Sequence, residues 1–531
     1  MRITDRQLIL TAFIFIFTSV NGKAQAFLDS VYPGLIALDE VVFSDSNERK
    51  LFESDFSKLT TSEKFTALSR TKGPQSTVGD GKWFSLISNL KSIKRHKKNE
   101  KYIDNIYKEV HNTLLQKYKL QTSFDEVFTE GAYNCVTASS LYALVFDELA
   151  VPYELKELPS HVYIIAFPTE QIVVESTNPK SGFYTIDDNY KNQYVSDLIE
   201  NKMVSSAEAS QSTVDEIFDH FYFNKEKSIE FRQLLGLQYY NQGVYHMQNK
   251  EYRKAIEELE KATYLYPSGG CAYNLLISMA KVLDNTDYKG NRDIIYLARM
   301  TRMPNEFELS DDHVLGAFSK ITSELLISKG EKASYDSIYA ELTGLMVHND
   351  SVKNKVDLIY NFETARYYSL SGEYEKSIPH AINALKGEPT NLQTQVMVTE
   401  LLRAQFLAQY KRDEVDTNVI EKLVALQDSV PEIWKNARFK QLYIDLFAAV
   451  IGVYVEQGEQ HRCLKLLENL EALADENELL PEQQITSYIC SEVAKYYFRK
   501  GSYGNARKAA KLGLKYYPND GMLQAINRQL R

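Results

Sequence analysis

Three segments in the second half of the chain repeat one spacing of small, aromatic and proline residues. The three sets are Gly243, Tyr252, Ala255, Ala262 and Pro267; Ala365, Tyr374, Ser377, Ala384 and Pro389; and Ala494, Tyr503, Ala506, Gly513 and Pro518. The small residues let two helices approach closely, the tyrosine lies at the turn between them, and the proline ends the second helix. This spacing predicts stacked pairs of antiparallel helices.

The repeated spacing resembles the tetratricopeptide repeat (TPR), a unit of about 34 residues. Tyr368 and Tyr497 also fit the aromatic place in the first helix of that unit. Stretches such as 352–361 and 401–408 keep a helical period without the small residues, which indicates divergent repeats. The resemblance implies an all-α TPR-like solenoid over residues 229–531, with about six to eight helical pairs and a groove that holds a protein or peptide partner.

A cysteine stands directly before an apolar run of helical period. Cys135 follows Asn134, and the run continues to Val151-Pro152, where proline ends helices. A thiol of ordinary pKa, about 8.5, is an effective nucleophile at neutral pH only beside a helix N-terminus, a histidine or both. The pattern therefore predicts that the Cys135 sulfur lies at the positive end of a helix dipole, near backbone N–H groups that could bind an oxyanion.

Two β-rich runs, 161–167 and 172–175, follow this helix and are separated by a predicted hairpin turn. His161 opens the first run and Glu175 closes the second. A hairpin loop with an odd number of residues places Glu175 on the face of His161, whereas an even loop places Asn178 opposite it. The favoured set of side chains is Cys135, His161 and Glu175, with Asn178 as the alternative third member.

These residues resemble the transglutaminase-like fold, a papain-related superfamily in which a helix-initiating cysteine precedes a histidine and an acidic residue on neighbouring strands. The matching segments are Asn134-Cys135, Pro159-Ser160-His161-Val162-Tyr163 and Val173-Val174-Glu175-Ser176-Thr177-Asn178-Pro179. The resemblance implies an α+β domain over residues 27–204. It also implies that Cys135 is the nucleophile, His161 the general base and acid, and Glu175 the group that holds the imidazole tautomer. The superfamily more often has Asp at the third place.

The other candidate residues carry weaker signals. Gln121 and Gln75 are candidates for an oxyanion side chain, without a spacing that supports either. The remaining three cysteines lie in helical surroundings with no following histidine on a strand, which indicates core packing; they are Cys271, Cys463 and Cys490. No C-x-x-C or H-E-x-x-H motif occurs, so we expect neither a metal nor a cofactor.

The N-terminal residues and the net charge of the chain indicate where the protein is located and which partners it can bind. Arg2 and Arg6 precede the apolar stretch 8–20 and a small-residue cleavage pattern, which predicts a signal peptide over residues 1–26, with an uncleaved anchor as the alternative. We therefore expect a secreted or periplasmic protein without a membrane span after cleavage. The small, polar stretch that opens residues 205–228 predicts a linker. A net charge of −10 argues against nucleic acid as a partner.

Two functions of different class follow from these patterns. The first is a secreted cysteine hydrolase, a peptidase or amidase, in which a thioester on Cys135 passes to water; transfer to an amine would make it a transglutaminase instead. The second is a non-catalytic assembly protein, in which the helical repeats bind partners and the transglutaminase-like domain is degenerate. A sulfur within hydrogen-bond reach of the imidazole, with a carboxylate on the other ring nitrogen, would favour the enzyme.

Overall fold

The computed structural model describes residues 31–72, 80–158, 161–175, 183–185, 191–192, 195–196, 199, 212–214, 216–217, 227–284, 286, 288, 291–303, 309–346, 350–411 and 417–530. Several predicted features lie outside these residues, namely the signal peptide, Gln75, Asn178 and most of the linker. The chain divides into two compact units, Met1–Ser310 and Asp311–Arg531. The described residues are mostly helical with one small sheet region, followed by an all-helical part.

The first unit begins with helices and continues into a sheet. Its helices before the sheet are α1 Ser46–Phe52, α2 Thr61–Ser69, α3 Asp80–Ser92, α4 Asn99–Thr113, α5 Phe124–Thr129 and α6 Cys135–Glu148. Its strands are β1 Lys117–Tyr118, β2 Ala132–Tyr133, β3 Tyr153–Leu158, β4 His161–Ala166, β5 Ile172–Val174, β6 Phe183–Thr185 and β7 Lys227–Ile229. Short 3-10 turns occur at Leu38–Glu40, Phe56–Lys58, Arg70–Lys72 and Pro168–Glu170.

Five strands form an antiparallel sheet in the order β6-β5-β4-β3-β7, and β1 pairs with β2 in parallel. β4 and β5 form the predicted hairpin, in which Ala166 pairs with Ile172. Phe167 and Gln171 flank its turn with positive φ angles. Two strands that the sequence analysis did not predict, β3 and β7, complete one side of the sheet.

Helix α6 lies at the centre of the first unit. Every side chain from Val136 to Phe146 is buried, and the helix packs on β4, where the Ser139 hydroxyl donates to the Val162 carbonyl at 3.2 Å. A helix that is apolar on all sides is a core helix and needs neighbours all round. The predicted start and end of this helix are both observed, since it begins at Cys135 and ends just before Val151-Pro152.

The boundary of the first unit differs from the predicted one. The strand β7 lies within the predicted linker and pairs with β3, Leu155 opposite Ile229. The next four helices also belong to this unit; they are α7 Phe231–Gln248, α8 Tyr252–Leu265, α9 Gly269–Leu283 and α10 Asn291–Met300. Buried side chains such as Leu234, Tyr239 and Leu265 join the same core as Phe52. The compact units therefore divide after Ser310 and not at the predicted residues 204–229, because the first helical pair completes the core beside the sheet.

The second unit is helical throughout its described residues. Its helices are α11 Leu309–Ile321, which starts just before the unit boundary, α12 Lys332–Leu345, α13 Asp350–Leu370, α14 Tyr374–Gly387, α15 Leu392–Lys411, α16 Val419–Ser429, α17 Ala437–Glu456, α18 Gln460–Glu476, α19 Gln483–Arg499, α20 Tyr503–Tyr516 and α21 Gly521–Gln529. A π-helical stretch, Thr322–Ser328, continues α11, and a 3-10 turn spans Pro431–Lys435. In the described part of the chain, no helix has the length and apolar content needed to span a membrane.

The repeated spacing marks three pairs of packed helices, α7 with α8, α13 with α14, and α19 with α20. In each pair the tyrosine begins the second helix and the proline follows its end, as predicted. The small residues at these interfaces are buried. A Cβ at Gly243 would lie 2.6 Å from Leu259 Cγ, and one at Gly513 would lie 2.5 Å from Leu523 Cδ1. Only a very small residue therefore fits at these two positions.

We expect Gly513→Ala to destabilise the protein by about 1–3 kcal/mol, the usual cost of overpacking. The added methyl group would meet Leu523 and also Cys490, whose Cβ would lie 3.0 Å away. Gly504→Ala in the same helix is the matched control, because a Cβ there meets nothing within 4 Å. Urea unfolding of both variants measures the difference. Equal midpoints for the two would show that the interface has room to relax.

Candidate active site

The Asn134 side chain positions the start of helix α6. Its Oδ1 accepts the backbone N–H of Thr137 at 2.9 Å, and the Thr137 hydroxyl accepts the backbone N–H of Asn134 at 2.9 Å. The Asn134 amide also donates to the Leu120 carbonyl at 3.0 Å. Such reciprocal capping is typically worth about 1 kcal/mol. It holds Cys135 at the first position of the helix, where the macrodipole favours negative charge.

Cys135 differs from the other cysteines in exposure. It is half-buried, whereas Cys271, Cys463 and Cys490 are buried, and all four are free thiols. Burial raises the pKa of Cys271 and Cys490 to about 12 and that of Cys463 to about 11. These three thiols are therefore protonated and inaccessible at neutral pH, so Cys135 is the thiol that a reagent or substrate can reach.

The sheet brings His161 and Glu175 together. The hairpin loop contains five residues between Ala166 and Ile172. Continuing the register places Glu175 opposite Tyr163. Tyr163 is two residues from His161 on β4, so Glu175 lies on the same face of the sheet as His161. The carboxylate lies 2.9 Å and 3.0 Å from His161 Nε2 through its two oxygens. The odd-loop alternative is the observed one, and the longer reach of glutamate spans the diagonal displacement.

Cys135 lies close enough to the imidazole to affect its pKa. Because Nε2 faces Glu175, Nδ1 is the ring nitrogen available to the thiol. Burial by itself lowers the pKa of His161, but the interactions with Cys135 and Glu175, with the charges of both groups, raise it from 6.5 to about 10. The three side chains thus form a continuous row in which a protonated imidazole lies between two acidic groups.

Aromatic side chains that sequence reasoning missed surround this row. The Tyr107 hydroxyl donates to the Glu175 backbone carbonyl at 3.3 Å, and its ring stacks on His111 with centroids 4.0 Å apart. His111 Nδ1 in turn lies 2.9 Å from the Tyr142 hydroxyl. Helix α4 therefore connects the end of β5 to helix α6. The spacing of Tyr107 and His111, one helical turn apart, is the only sequence signal that could have indicated a shared face.

The oxyanion candidates from the sequence do not reach the site in the described part of the chain. The Gln121 amide bonds Gln248 on helix α7, and Gln75 lies outside the described residues. The cap on Asn134 engages the N–H of Thr137, and no acceptor among the described residues contacts the backbone N–H of Cys135. This N–H remains available beside the sulfur.

The arrangement can perform thiol chemistry on a carbonyl. An imidazole between a thiol and a carboxylate can take the thiol proton and later deliver it to a leaving group. The described residues contain no group of three or more His, Cys, Asp and Glu side chains that could hold a metal ion.

Comparison with known proteins adds little to this geometry. No protein-family model and no curated protein matches the sequence. One solved structure, a monomeric IFIT1 mutant with m7Gppp-AAAA in the anti conformation of the cap, aligns over 88% of this chain and 90% of that chain at 13% identity. Its TM-score of 0.17 is too low to inform either fold or ligand.

We expect Glu175→Gln to lower the pKa of His161 by about one unit or more, because it removes the negative charge beside Nε2. In the wild type the folded pKa of about 10 exceeds the ordinary 6.5. The charge of His161 therefore stabilises the fold fully below about pH 6.5, and this contribution disappears as the pH rises through about 10. NMR titration of ¹³C-labelled histidine measures the shift, with His380 as the internal control. A wild-type midpoint near 6.5 would contradict this assignment.

Proposed function

We propose that this protein is a cysteine hydrolase of the transglutaminase-like class, a peptidase or amidase with Cys135 as nucleophile. The observation that carries the proposal is the row of Cys135, His161 and Glu175, in which the Glu175 carboxylate hydrogen-bonds His161 Nε2 and Cys135 lies near enough to the same imidazole to affect its pKa. A histidine with a purely structural role would need only the carboxylate and not a thiol at a capped helix N-terminus nearby. The row of three side chains therefore supports an enzyme over a degenerate domain.

The reaction follows from the positions of these groups. The Cys135 thiolate attacks an amide carbonyl carbon, and the carbonyl electron pair moves onto oxygen, where the N–H of Cys135 can bind it. The His161 imidazolium protonates the departing amine as the C–N bond breaks, which leaves a thioester. Water, deprotonated by the neutral imidazole, then attacks the thioester and releases a carboxylate and the thiol.

Glu175 keeps the imidazole in position through both steps. Its two oxygens contact Nε2, which leaves Nδ1 free to exchange a proton with the thiol, and its charge favours the imidazolium that the first step needs. The half-buried position of His161, with 22% of its side chain exposed, limits competing water. Glutamate replaces the more common aspartate at this position. Its longer side chain fits because Glu175 lies diagonally, and not directly, across the sheet from His161.

The helical repeats and the sequence ends complete the proposal. We infer that the grooves of the helical array hold a protein or peptide partner, which could be the substrate of the thiol, and that a signal peptide over residues 1–26 directs the protein to the cell envelope or the exterior. The packed pairs α13 with α14 and α19 with α20 support the repeat assignment. The net charge of −10 supports a partner other than nucleic acid.

We expect Cys135 to react with iodoacetamide at pH 6.5 at least about fivefold faster than free cysteine, whose thiolate fraction there is only about 1%. Cys135→Ala should abolish the fast reaction, and His161→Ala should slow it about tenfold or more, because the ion-pair partner is lost. Mass spectrometry of tryptic peptides identifies the labelled thiol. An inert Cys135 in the folded wild type would favour the non-catalytic assembly protein.

Hydrolysis and amide transfer differ in the acceptor of the acyl group. We expect thioester turnover to water to exceed transfer to an added primary amine, because water needs no dedicated binding site. In a reaction of casein with fluorescent cadaverine, released ammonia and new N-termini count every acylation, incorporated label counts transfer, and the difference between them is hydrolysis. Label incorporation that outpaces hydrolysis would assign a transglutaminase. Cys135→Ala is the blank for both signals.

A further inference from the structure

Tyr118 is tied to the two residues that precede the nucleophile. It lies on β1, where it pairs in parallel register with Tyr133 on β2. The next backbone N–H, of Lys119, donates to the Tyr133 carbonyl at 2.9 Å, and the Asn134 amide reaches the Leu120 carbonyl. The same segment that caps helix α6 therefore also fixes the backbone on which Tyr118 stands.

The Tyr118 side chain packs beside Tyr133, two residues before Cys135. Its ring meets the Tyr133 ring edge-on, with centroids 5.9 Å apart and planes at 85°. After burial, the charges of Cys135 and Glu175, the two ends of the row of reactive side chains, help to raise the pKa of its hydroxyl. Tyr118 nevertheless remains 43% exposed. An exposed phenol on the segment that is bonded to Tyr133 and Asn134 can therefore approach a carbonyl at Cys135.

The neighbouring tyrosine hydroxyls are less suited to this role. Those of Tyr107 and Tyr142 already bond the Glu175 carbonyl and His111, and Tyr133 is only 2% exposed. Among the described residues, the Tyr118 hydroxyl has no hydrogen-bond partner. The pKa of the Tyr118 hydroxyl is raised to about 12, mainly by burial and then by the charges of Cys135, Tyr133 and Glu175. The hydroxyl is therefore protonated at neutral pH and can donate a hydrogen bond.

We propose that the Tyr118 hydroxyl donates the second hydrogen bond to the oxyanion that forms on Cys135, beside the backbone N–H of Cys135. This assignment rests on the proposed function. A donor of this kind acts only when negative charge develops on the carbonyl oxygen, and it contributes little to the ground-state thiolate. Tyr118 thus takes the place that the sequence analysis left open between Gln121 and Gln75.

Two reagents separate this role from a general effect on the thiol. With 4-nitrophenyl acetate, the Cys135 sulfur bonds to the carbonyl carbon, the oxyanion forms and collapses, 4-nitrophenolate leaves, and water hydrolyses the thioester to acetate. With iodoacetamide, the sulfur bonds to the methylene carbon and iodide leaves, without any oxyanion. An oxyanion donor therefore accelerates the first reaction and leaves the second unchanged.

The experiment compares full-length wild type, Tyr118→Phe and Tyr245→Phe with both reagents. Phenylalanine keeps the ring contact with Tyr133 and removes only the hydroxyl. Tyr245 is the matched control, since it lies in the same unit and is 40% exposed. It also lies near enough to Lys119, the neighbour of Tyr118, to contribute to the raised pKa of that lysine. We expect Tyr118→Phe to slow acylation by about 10- to 100-fold, somewhat below the loss of a full oxyanion donor, while alkylation stays within twofold and Tyr245→Phe changes neither.

Each other outcome overturns a definite part of this account. Unchanged acylation in Tyr118→Phe removes Tyr118 from the oxyanion site. An equal loss of acylation and alkylation shows that the hydroxyl supports the thiolate or the local fold, and this too overturns the proposal. A wild-type Cys135 that reacts with neither reagent contradicts the proposed function itself, and the alkylation control makes that failure distinguishable from the failure of Tyr118 alone.

Discussion

Burial of helix α6 on all sides is the constraint on which the first unit depends. The sheet covers one side of this helix, and polar contacts join it to α2, α4 and α7 on others, through Lys64–Asp147, His111–Tyr142 and Gln238–Ser140. Full burial of a large apolar side chain is worth about 1.5–3 kcal/mol. Because the body of the helix is held in this way, its half-buried first residue, Cys135, has a defined position relative to β4.

The first helical pair, α7 with α8, is part of the unit that carries the thiol. Buried charged side chains connect this pair to the rest of the unit. Lys261 on α8, only 4% exposed, lies 3.1 Å from Glu48 on α1, whose carboxylate also accepts the Tyr239 hydroxyl at 2.8 Å. Arg299 on α10 pairs with the buried Glu260. Breaking a buried pair typically costs about 3–5 kcal/mol. Within the first unit, helices α7 and α8 are therefore anchored by buried charged contacts.

Local patterns predicted the parts of the fold that short-range geometry controls. The helix start at Cys135, the hairpin between His161 and Glu175, and the three small-residue interfaces all follow from capping, turn and packing rules within one or two elements. The edge strand β7 was missed, since only its partner β3, about seventy residues earlier, makes it a strand. Tyr107 and Tyr118 were missed for the same reason, as each meets the site through a long-range contact.

The amino-acid sequence by itself determined which residues could do chemistry: one cysteine at a helix start, one histidine opening a strand and a carboxylate closing the next. Only the tertiary structure decided that Glu175 contacts His161 Nε2, that Gln121 is bonded elsewhere, and that the compact unit extends to Ser310. The physical reason is the range of the forces involved. Capping and periodicity act over a few residues, whereas hairpin register, burial and charge pairing depend on surfaces that meet only when the whole unit folds.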